Sequence, residues 1–482
     1  MSRALSRRSD DPTRSLSAAV RGTVTTRAGD LSPFDHDASH LVGRPLAAVA
    51  PADADDVVAL VRWARRTRTA LVARGAGTSL DGESVPTEGA VAVDLSGWKR
   101  VLEVDADGLW ARVEPGVVNR DLQRALLPHG LFFPPNPGSW TTSTIGGNVG
   151  TNASGPRSFR YGPTRAWVRE LEVVLGTGSR AHLGSRVAKR SVGPDLLQLF
   201  IGSEGTLGIT TEVTVRLAPV PRVRRGLVVP LPRRVALGPL VARLARVRAS
   251  GLSAVEYLDR NCAAAIAQRR DAPWAGSQSL LLLEVEAAGS DEAARQVRRL
   301  RTALAEARSA DRVSVFEDAD ALWTLRGSSG DVLEERFGPT VREDVAVPIA
   351  RVDALIAEFE RIARRERVPY FLFGHLGEGS LHPNFAVDPA SRTAERLRRL
   401  VVRASRALAG TISSEHGVGR LKRRFLTEEL GASAVALLAA VKRACDPDGI
   451  LNPGKLYPGR TPVAGPPSRS PSGRRAGRTR PG

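Results

Sequence analysis

The stretch that decides the fold is TIGGNVGTNASGPRSFRYG, residues 144–162. Closely spaced glycines are mixed there with Thr, Asn and Ser, and neither a helical nor a strand period runs through residues 134–162. A plain surface loop has no need of so many small, hydrogen-bonding residues, whereas a backbone that closely approaches a large polar ligand does. We therefore predict that residues 134–162 form a long irregular loop that lines a ligand site.

Two other glycine segments share this composition. The segment ARGAGTSL, residues 73–80, follows the predicted strand ALVAR, and its glycines allow consecutive N–H groups to face a phosphate. Alone it is weak evidence, because it is neither a G-x-G-x-x-G turn that opens a helix nor a P-loop. The third segment is GSEGTLGIT, residues 202–210. Three such segments favour a ligand of dinucleotide size over three unrelated turns.

The rest of the chain changes character near residue 220. Residues 40–219 alternate helical and strand patterns, beginning with the helix PADADDVVALVRWARR behind an acidic N-cap. Beyond residue 220, strands such as SLLLLEVEA alternate with amphipathic helices such as VDALIAEFERIARRERV. These lengths predict an α+β fold in which the C-terminal helices pack on one face of a sheet.

Composition excludes several classes of protein. The 482 residues carry a net charge of +19, but much of it lies at the two arginine-rich ends, so we expect no specific nucleic-acid binding. Two cysteines are too few for an iron–sulfur cluster or a disulfide framework. No apolar run is long enough to span a bilayer, and no secretory signal is seen. We expect a cytoplasmic protein, with peripheral contact at the inner membrane face left open.

Two histidines stand close together in GHLGEGSLHPNF. The glycines and proline exclude a helix, so a strand, a tight turn and a returning strand are expected to bring His375 and His382 together. Their imidazoles could then bind one Zn²⁺-like cation. In SSEHGVGRLK, Glu415 could complete that site. His416 would face elsewhere, because neighbouring side chains alternate along an extended segment.

The motifs RGAGTS, TIGGNVGTNASG, GSEGTLGIT, GHLGEGSLHPN, EHGVGRLK and LNPGK follow one another along the chain. In this order they resemble the FAD-linked oxidases of the vanillyl-alcohol-oxidase and p-cresol-methylhydroxylase (PCMH) type. The nearest branch resembles the glycolate-oxidase D subunit, D-lactate dehydrogenase and D-2-hydroxyglutarate dehydrogenase. The resemblance implies a two-part FAD-binding PCMH-type domain at residues 39–219. It also implies a C-terminal antiparallel-sheet cap domain at residues 220–458, whose last part returns to the FAD domain.

Outside these domains we expect little fixed structure. Residues 1–38 are predicted to be a loosely ordered arm, and residues 459–482 a disordered basic tail of Pro, Gly, Ser and Arg.

The resemblance also implies how the cofactor is held. FAD is expected to be non-covalent, because the first glycine segment lacks the histidine that attaches the cofactor in some relatives. Lys455 of LNPGK is expected near the flavin edge. The residues expected to bind FAD are Arg74, Gly75, Ala76, Gly77, Thr78, Ser79, Leu80, Pro137, Gly138, Ser139, Thr144, Gly146, Gly147, Asn148, Gly150, Asn152, Ser154, Gly155, Tyr161, Glu204, Ile209 and Asn452.

The same resemblance assigns the chemistry. It implies FAD-dependent oxidation of a 2-hydroxy acid of the D-lactate, glycolate or D-2-hydroxyglutarate type to the 2-oxo acid. A cation would lower the pKa of the hydroxyl, an imidazole would take its proton, and the α-hydrogen would leave as hydride to flavin N5. The implied metal ligands, for zinc first, are His375, His382 and Glu415, and the implied base is His416.

Three residues are implied in substrate binding. Arg326 and Arg342 match positions that bind the substrate carboxylate in relatives, and arginine can bind a carboxylate through two parallel hydrogen bonds. Asn384 is expected to be a polar contact. The chain departs from its relatives at Ser380, where they more often have Asn, and at Gly330, where hydroxyglutarate-type members have Thr. These departures leave the identity and chirality of the hydroxy acid open.

Other functions and partners also stay open at this point. A flavin-dependent alkyl transferase of the same fold would cause no net oxidation, and a non-catalytic FAD-binding subunit could dispense with the histidine motifs. A zinc hydrolase would need no flavin loops. Candidate electron acceptors are a quinone, a cytochrome, an electron-transfer flavoprotein and oxygen, and a homodimer is a further expectation left open.

Overall fold

The computed structural model describes residues 12–233, 235–246, 251–274, 278–305 and 312–458. The predicted tail at residues 459–482 and the first part of the predicted arm, residues 1–11, lie outside these ranges. Within them, no helix combines the length and the apolar character needed to cross a membrane.

Residues 12–38 do not form the loosely ordered arm that we predicted. Helix α1 (Pro12–Ala19) buries Leu16 completely, and strand β1 (Thr23–Thr25) pairs with strand β2 (Ala47–Ala50). The Nε1 of Trp63 also donates a hydrogen bond of 3.0 Å to the Oγ of Ser15. Apolar burial and strand pairing therefore fix this segment to the first domain.

The first part of the first domain is a four-stranded sheet in the order β1-β2-β4-β3. Strand β4 pairs in parallel with β2 and β3, which requires a crossover, and helix α2 supplies it between β2 and β3. The Asp53 side chain caps α2 by accepting a hydrogen bond of 3.0 Å from the N–H of Asp56, as the acidic N-cap predicted. The further elements are α2 (Ala54–Thr67), β3 (Leu71–Arg74) and β4 (Val91–Asp94).

The second part is a five-stranded antiparallel sheet in the order β5-β6-β10-β8-β9. Its strands are β5 (Val101–Asp105), β6 (Trp110–Val113), β8 (Val168–Leu175), β9 (Arg180–Gly184) and β10 (Gly208–Arg216). Around it lie α3 (Asn119–Leu126), β7 (Leu131–Phe132), α4 (Ile145–Thr151), α5 (Ser158–Tyr161) and α6 (Leu197–Phe200).

Helices α4 and α5 correct the prediction that residues 134–162 are wholly irregular. Thr144 caps α4 by accepting a hydrogen bond of 3.2 Å from the N–H of Gly147, and Asn152 ends the helix in the left-handed conformation, with φ of 54°. The glycines hide the helical period because they lack apolar side chains. They also allow close packing, since a Cβ on Gly146 would lie 2.6 Å from the Cβ of Pro115.

The C-terminal domain is built on an eight-stranded sheet in the order β15-β12-β14-β13-β18-β19-β16, with β17 also paired to β19. Its neighbouring strands are antiparallel. The strands are β11 (Ala218–Pro219), which pairs with β7, then β12 (Val223–Pro230), β13 (Leu252–Leu258), β14 (Leu280–Ala287), β15 (Ser314–Phe316), β16 (Val341–Arg342), β17 (Val345–Ala346), β18 (Tyr370–Gly374) and β19 (Ser380–Phe385). The helices are α7 (Leu237–Arg246), α8 (Arg260–Arg269), α9 (Ser290–Ala305), α10 (Ala319–Gly327), α11 (Ser329–Phe337), α12 (Val352–Glu366), α13 (Arg392–Ala407), α14 (Leu426–Leu430) and α15 (Ala432–Cys445).

The α+β architecture is confirmed, but the placement of the helices needs a correction. Along β14, Leu281 and Leu283 face a core formed with α7, α9, α12 and α13. Leu280 and Leu282 point to the opposite face and pack with α8 and α10. Helices therefore cover both faces of the sheet, because the first half of β14, Leu280 to Leu283, is apolar on both sides.

Two features join the domains. Leu451 forms a parallel bridge with Leu71, and Asn452 donates its N–H to the Leu71 carbonyl at 2.7 Å, so the end of the described chain lies on the first domain. Fully buried Glu284 of β14 lies 3.3 Å from Arg157 Nε and 2.5 Å from Arg224 Nη2. The ion pair to Arg157 links the cap to the segment between α4 and α5.

Candidate active site

A cavity of about 650 Å³ lies between the two domains. Its wall contains residues from the three glycine segments and also Arg326, Arg342, His375, His382, Glu415 and His416. The folded chain thus brings the predicted cofactor segments and the predicted catalytic cluster into one space.

The glycine segments contact one another on the cofactor side of this cavity. A Cβ on Gly75 would lie 2.2 Å from the Oγ1 of Thr144, so the first two segments touch through an obligatory glycine. The N–H of Glu204 in the third segment donates to the carbonyl of Gly150 at 2.8 Å. A Cβ on Gly138 or Gly150 would meet no heavy atom within 4 Å, and both residues line the cavity. Side chains there would occupy the space that a ligand needs.

The first segment has the features of an anion site. The N–H groups of residues 76–79 donate no hydrogen bond to any other residue in the described ranges. Gly77 has φ of +68°, and a Cβ there would lie 2.2 Å from the Nη2 of Arg74, so the guanidinium lies directly under the turn. Free N–H groups above a buried cation suit a pyrophosphate. These residues therefore fit the FAD that the sequence predicts.

Some residues predicted to contact FAD lie behind the cavity wall. Tyr161 donates to Glu286 at 2.5 Å, Asn152 accepts from the N–H of Arg165 at 2.9 Å, and Ile209 is in the core. The remaining two are Gly155, which packs on the carbonyl of Asn136, and Asn452, whose side-chain amide donates to the carbonyls of Glu83 and Glu204. These five residues support the cavity wall from behind.

Buried acids and a buried lysine lie within or next to the first and third segments. Glu204 accepts hydrogen bonds from the N–H groups of Val418 and Gly419, and burial raises its pKa to about 7. Glu83 lines the cavity, and burial, followed by the charge of Glu204, raises its pKa well above the ordinary value. Burial also lowers the pKa of Lys455 to about 7, and Lys455 lies outside the cavity wall.

The histidine hairpin has the predicted form. Strand β18 ends at Gly374 and β19 returns antiparallel to it, with Phe373 opposite His382. A short 3₁₀ turn (Leu376–Glu378) connects them, and Gly379 at φ of +74° closes the turn. The rings of His375 and His382 lie 5.1 Å apart at nearly right angles, and both side chains are buried.

Glu415 meets both imidazoles. Its Oε1 lies 2.9 Å from the Nε2 of His375 and 3.3 Å from the Nε2 of His382. Its Oε2 accepts a hydrogen bond of 2.6 Å from Ser154, a residue of the second glycine segment. Ligand atoms of the three side chains lie within 4.8 Å of one another, close enough for one cation to bind all three, and three protein ligands is the number found in catalytic zinc sites.

Two carboxylates that the sequence analysis missed stand behind the histidines. The Nδ1 of His375 lies 2.6 Å from Oε1 of Glu256, and the Nδ1 of His382 lies 3.5 Å from Oδ1 of Asp344. Metal-binding histidines commonly have such a carboxylate on the far nitrogen, which directs the other nitrogen at the ion. The signal for Glu256 was a lone acid within the apolar strand LSAVEYL, because a buried carboxylate needs a partner.

Asp344 also organises the segment that carries Glu415. Its Oδ2 accepts hydrogen bonds of 2.9 Å from the N–H groups of Ser414, Glu415 and His416. Burial of the Asp344 carboxyl is outweighed by the nearby positive groups, including Lys422, and its pKa is lowered. The backbone of residues 414–416 therefore turns instead of continuing as an extended strand.

This turn corrects the expectation that His416 faces away from Glu415. The His416 ring stacks on that of His382 with a centroid separation of 5.2 Å and an interplanar angle of 13°. Its Nε2 lies 4.0 Å from Oε1 of Glu415. Side-chain alternation does not apply, because three consecutive N–H groups converge on one carboxylate.

The pKa values within the cluster diverge. Burial opposes protonation of His375, but Glu256 and Glu415 on its two nitrogens outweigh burial and raise its pKa. Burial of Glu415 is likewise outweighed by His375 and His382, which lower its pKa. For His416 burial dominates and lowers the pKa to about 4, so its ring is neutral at pH 7.

The three residues predicted to bind the substrate differ in how many of their polar atoms already have partners. Arg326 binds Glu256 through Nε at 2.8 Å and Nη2 at 2.7 Å. Arg342 is half-buried and lies 2.8 Å from Glu334. Asn384 is opposite Arg342 in the sheet, and its amide donates to the carbonyl of His382 at 2.7 Å while its Oδ1 has no partner in the described part of the chain.

Comparison with known proteins agrees with this architecture. Residues 45–184 match the model of the FAD binding domain, and residues 220–456 match that of the FAD linked oxidases, C-terminal domain. The chain is 34% identical over 422 residues to glycolate oxidase subunit GlcD of Bacillus subtilis (strain 168), covering 86% of this chain and 89% of the relative. The chain belongs to the FAD-linked oxidases.

A further relative agrees with this placement, and a solved structure agrees with the fold. D-2-hydroxyglutarate dehydrogenase of Stutzerimonas stutzeri (strain A1501) is 33% identical over 451 residues, covering 90% of this chain and 96% of the relative. The solved structure of p-cresol methylhydroxylase with substrate bound superposes with a TM-score of 0.77 at 15% identity, covering 92% of this chain and 96% of that one. The predicted fold and family are thus confirmed, and the protein is an FAD-linked oxidoreductase.

Proposed function

We propose that this FAD-linked oxidase oxidises a 2-hydroxy acid to the corresponding 2-oxo acid. The observation that carries the proposal is that the glycine cradle and the cluster of His375, His382, Glu415 and His416 line one cavity. FAD, when bound, supplies the hydride acceptor for this chemistry.

A divalent cation, with zinc as the first choice, is part of the proposal. The ligands would be Nε2 of His375, Nε2 of His382 and the Glu415 carboxylate, since all three converge on one point. When bound, such a cation lowers the pKa of a hydroxyl group beside it. Glu256 holds the His375 ring from behind, Asp344 lies 3.5 Å from the far nitrogen of His382, and Ser154 donates a hydrogen bond to the far oxygen of Glu415.

His416 is proposed as the base that takes the hydroxyl proton. Its ring is neutral at pH 7 because burial lowers its pKa to about 4, so it can accept a proton. Two carboxylates, Asp344 and Glu415, lie beside it and stabilise the charge that forms. Arg342 is proposed to bind the substrate carboxylate, because its guanidinium is half-buried in the cavity wall.

Anaerobic mixing of the FAD-loaded protein with D- and L-hydroxy acids tests the proposal. Loss of the yellow flavin absorbance with a hydroxy acid, and appearance of the 2-oxo acid, are expected. Retention of the colour with every hydroxy acid would refute it, and would favour the alkyl transferase or the non-catalytic subunit. Reoxidation of the reduced protein by a quinone, a cytochrome, an electron-transfer flavoprotein or oxygen then identifies the acceptor class.

Chelation tests the cation separately. Removal of bound metal should abolish flavin reduction but leave FAD bound, because none of the ligands belongs to the first glycine segment. Activity should return with added Zn²⁺ or another divalent ion. Full activity in metal-free protein would show that His375, His382 and Glu415 make only structural or substrate contacts.

A further inference from the structure

The part of the cavity wall formed by Trp323, Arg326, Gly330, Asp331, Arg342 and Phe373 is called the substrate end here. We infer that the substrate is a 2-hydroxy monocarboxylate with an uncharged, apolar side chain, and that the site discriminates against dicarboxylates. This inference rests on the function proposed above and specifies its substrate class.

The charge of Arg326 is already neutralised by Glu256. Both its Nε and its Nη2 are within 2.8 Å of the Glu256 carboxylate, which is fully buried. The guanidinium also lies over the Phe373 ring, 4.6 Å from the centroid. Turning Arg326 toward a substrate carboxylate would break both of its hydrogen bonds to the buried Glu256 carboxylate and leave that carboxylate with His375 alone, which is unfavourable. Arg326 thus acts on Glu256 and is not a second substrate clamp.

The guanidinium of Arg342 can bind a single substrate carboxylate. Its guanidinium lies against Gly330, where a Cβ would come within 3.1 Å of Cζ, and Nη2 is 2.8 Å from Glu334. Its Nε has no hydrogen-bond partner among the described residues. A substrate carboxylate can bind the donors of Arg342 that Glu334 leaves, whereas a second carboxylate would find Nε and Nη2 of Arg326 taken by Glu256.

The rest of the wall of the substrate end offers an acid, an aromatic surface and open space. Asp331 lines the cavity one residue after Gly330, so a second substrate carboxylate would meet a like charge. Trp323 donates its Nε1 to Glu284 at 2.5 Å, so its polar atom is taken and its carbon surface is what it can present. Gly327 leaves further room, because a Cβ there would meet no atom within 4 Å. An apolar side chain fits this wall better than a carboxylate.

The inference gives quantitative expectations for the FAD-loaded protein. Glycolate, lactate, 2-hydroxybutyrate and 2-hydroxyvalerate should reduce the flavin with kcat/KM rising by roughly fourfold per buried methylene until the space is full. Malate and 2-hydroxyglutarate, tested as both enantiomers, should be slower than the best monocarboxylate on the order of 100-fold, the effect of leaving a charged group unpaired. A dicarboxylate that reduces the flavin as fast as the best monocarboxylate would overturn the inference.

A binding measurement separates failure of this inference from failure of the proposed reaction. 2-Hydroxyisobutyrate and citramalate have no α-hydrogen, so neither can be oxidised, and they differ by a carboxylate. 2-Hydroxyisobutyrate should perturb the flavin spectrum and compete with the substrate at concentrations where citramalate does neither. Equal effects of the two acids, or no effect of either, would overturn the inference even if no hydroxy acid is oxidised.

Substitution of Asp331 tests the wall directly. Asp331→Asn should raise the ratio of dicarboxylate to monocarboxylate kcat/KM by about tenfold, because it removes the like charge. Asp107→Asn is the matched control, since Asp107 is exposed in the turn between β5 and β6 and does not line the cavity. An unchanged ratio in Asp331→Asn, or the same change in Asp107→Asn, would contradict the role given to Asp331.

Discussion

The buried Glu284 carboxylate, which is bound by Arg157 of the FAD-binding domain and by Arg224 and Trp323 of the cap, should contribute measurably to stability. Although burial opposes ionisation of Glu284, Arg157, Arg224 and Trp323 outweigh it and lower its pKa from 4.5 to about 2. This difference of about 2.5 pH units corresponds to about 3 kcal/mol of folding free energy. Glu284→Gln should therefore lower the free energy of unfolding by about 3 kcal/mol at pH 7, within the range known for broken buried pairs.

The sign of the pH dependence follows from the lowered pKa. The stabilisation is present above pH 4.5 and is lost as the pH falls toward 2, because the carboxylate must then be protonated in the folded state. The difference between wild type and Glu284→Gln should shrink from about 3 kcal/mol at pH 7 to about 1 kcal/mol at pH 3.

Urea unfolding of the FAD-loaded protein, followed by tryptophan fluorescence between pH 7 and pH 3, measures this difference. Glu317→Gln is a matched control, because Glu317 pairs with Arg225 of the same strand as Arg224 but its side chain is 80% exposed. Its effect should stay under about 1 kcal/mol at each pH. A loss below about 1 kcal/mol for Glu284→Gln at pH 7, or a loss that does not change with pH, would refute the reasoning.

Three further predictions concern the cavity. His416→Ala should keep FAD but slow flavin reduction by about 10²–10⁴-fold in anaerobic stopped flow, and an unchanged rate would remove His416 as the base. Gly77→Ala should weaken FAD binding at least about tenfold by fluorescence titration, because its Cβ would lie 2.2 Å from Arg74 at φ of +68°. Gly89→Ala, at φ of +75° in open space, controls for backbone strain alone, and equal affinities of the two variants would contradict the steric argument. Acid precipitation should release all FAD into the supernatant, whereas a yellow pellet would show a covalent link.

The sequence predicted the fold where its signals were local. The period and N-cap of α2 and the glycine-bounded hairpin at β18 and β19 all appear as expected. The family resemblance predicted the pairing of the two domains, which no local pattern contains.

The sequence could not predict features that depend on distant contacts. The bond between Arg326 and Glu256 joins residues 70 positions apart, so the motif around Arg326 gave no sign that it is neutralised. The turn at Glu415 and His416 depends on Asp344, which is 72 positions before His416. Burial of Leu16 of α1 likewise depends on a surface provided by later elements of the first domain.

A crystal structure of the protein with FAD, with anomalous data collected at the zinc edge, tests the central claim most directly. The account predicts a flavin ring beside His416 and an anomalous peak about 2.0–2.2 Å from Nε2 of His375, Nε2 of His382 and a Glu415 oxygen. A flavin bound away from these four side chains, or a peak at other ligands, would contradict it.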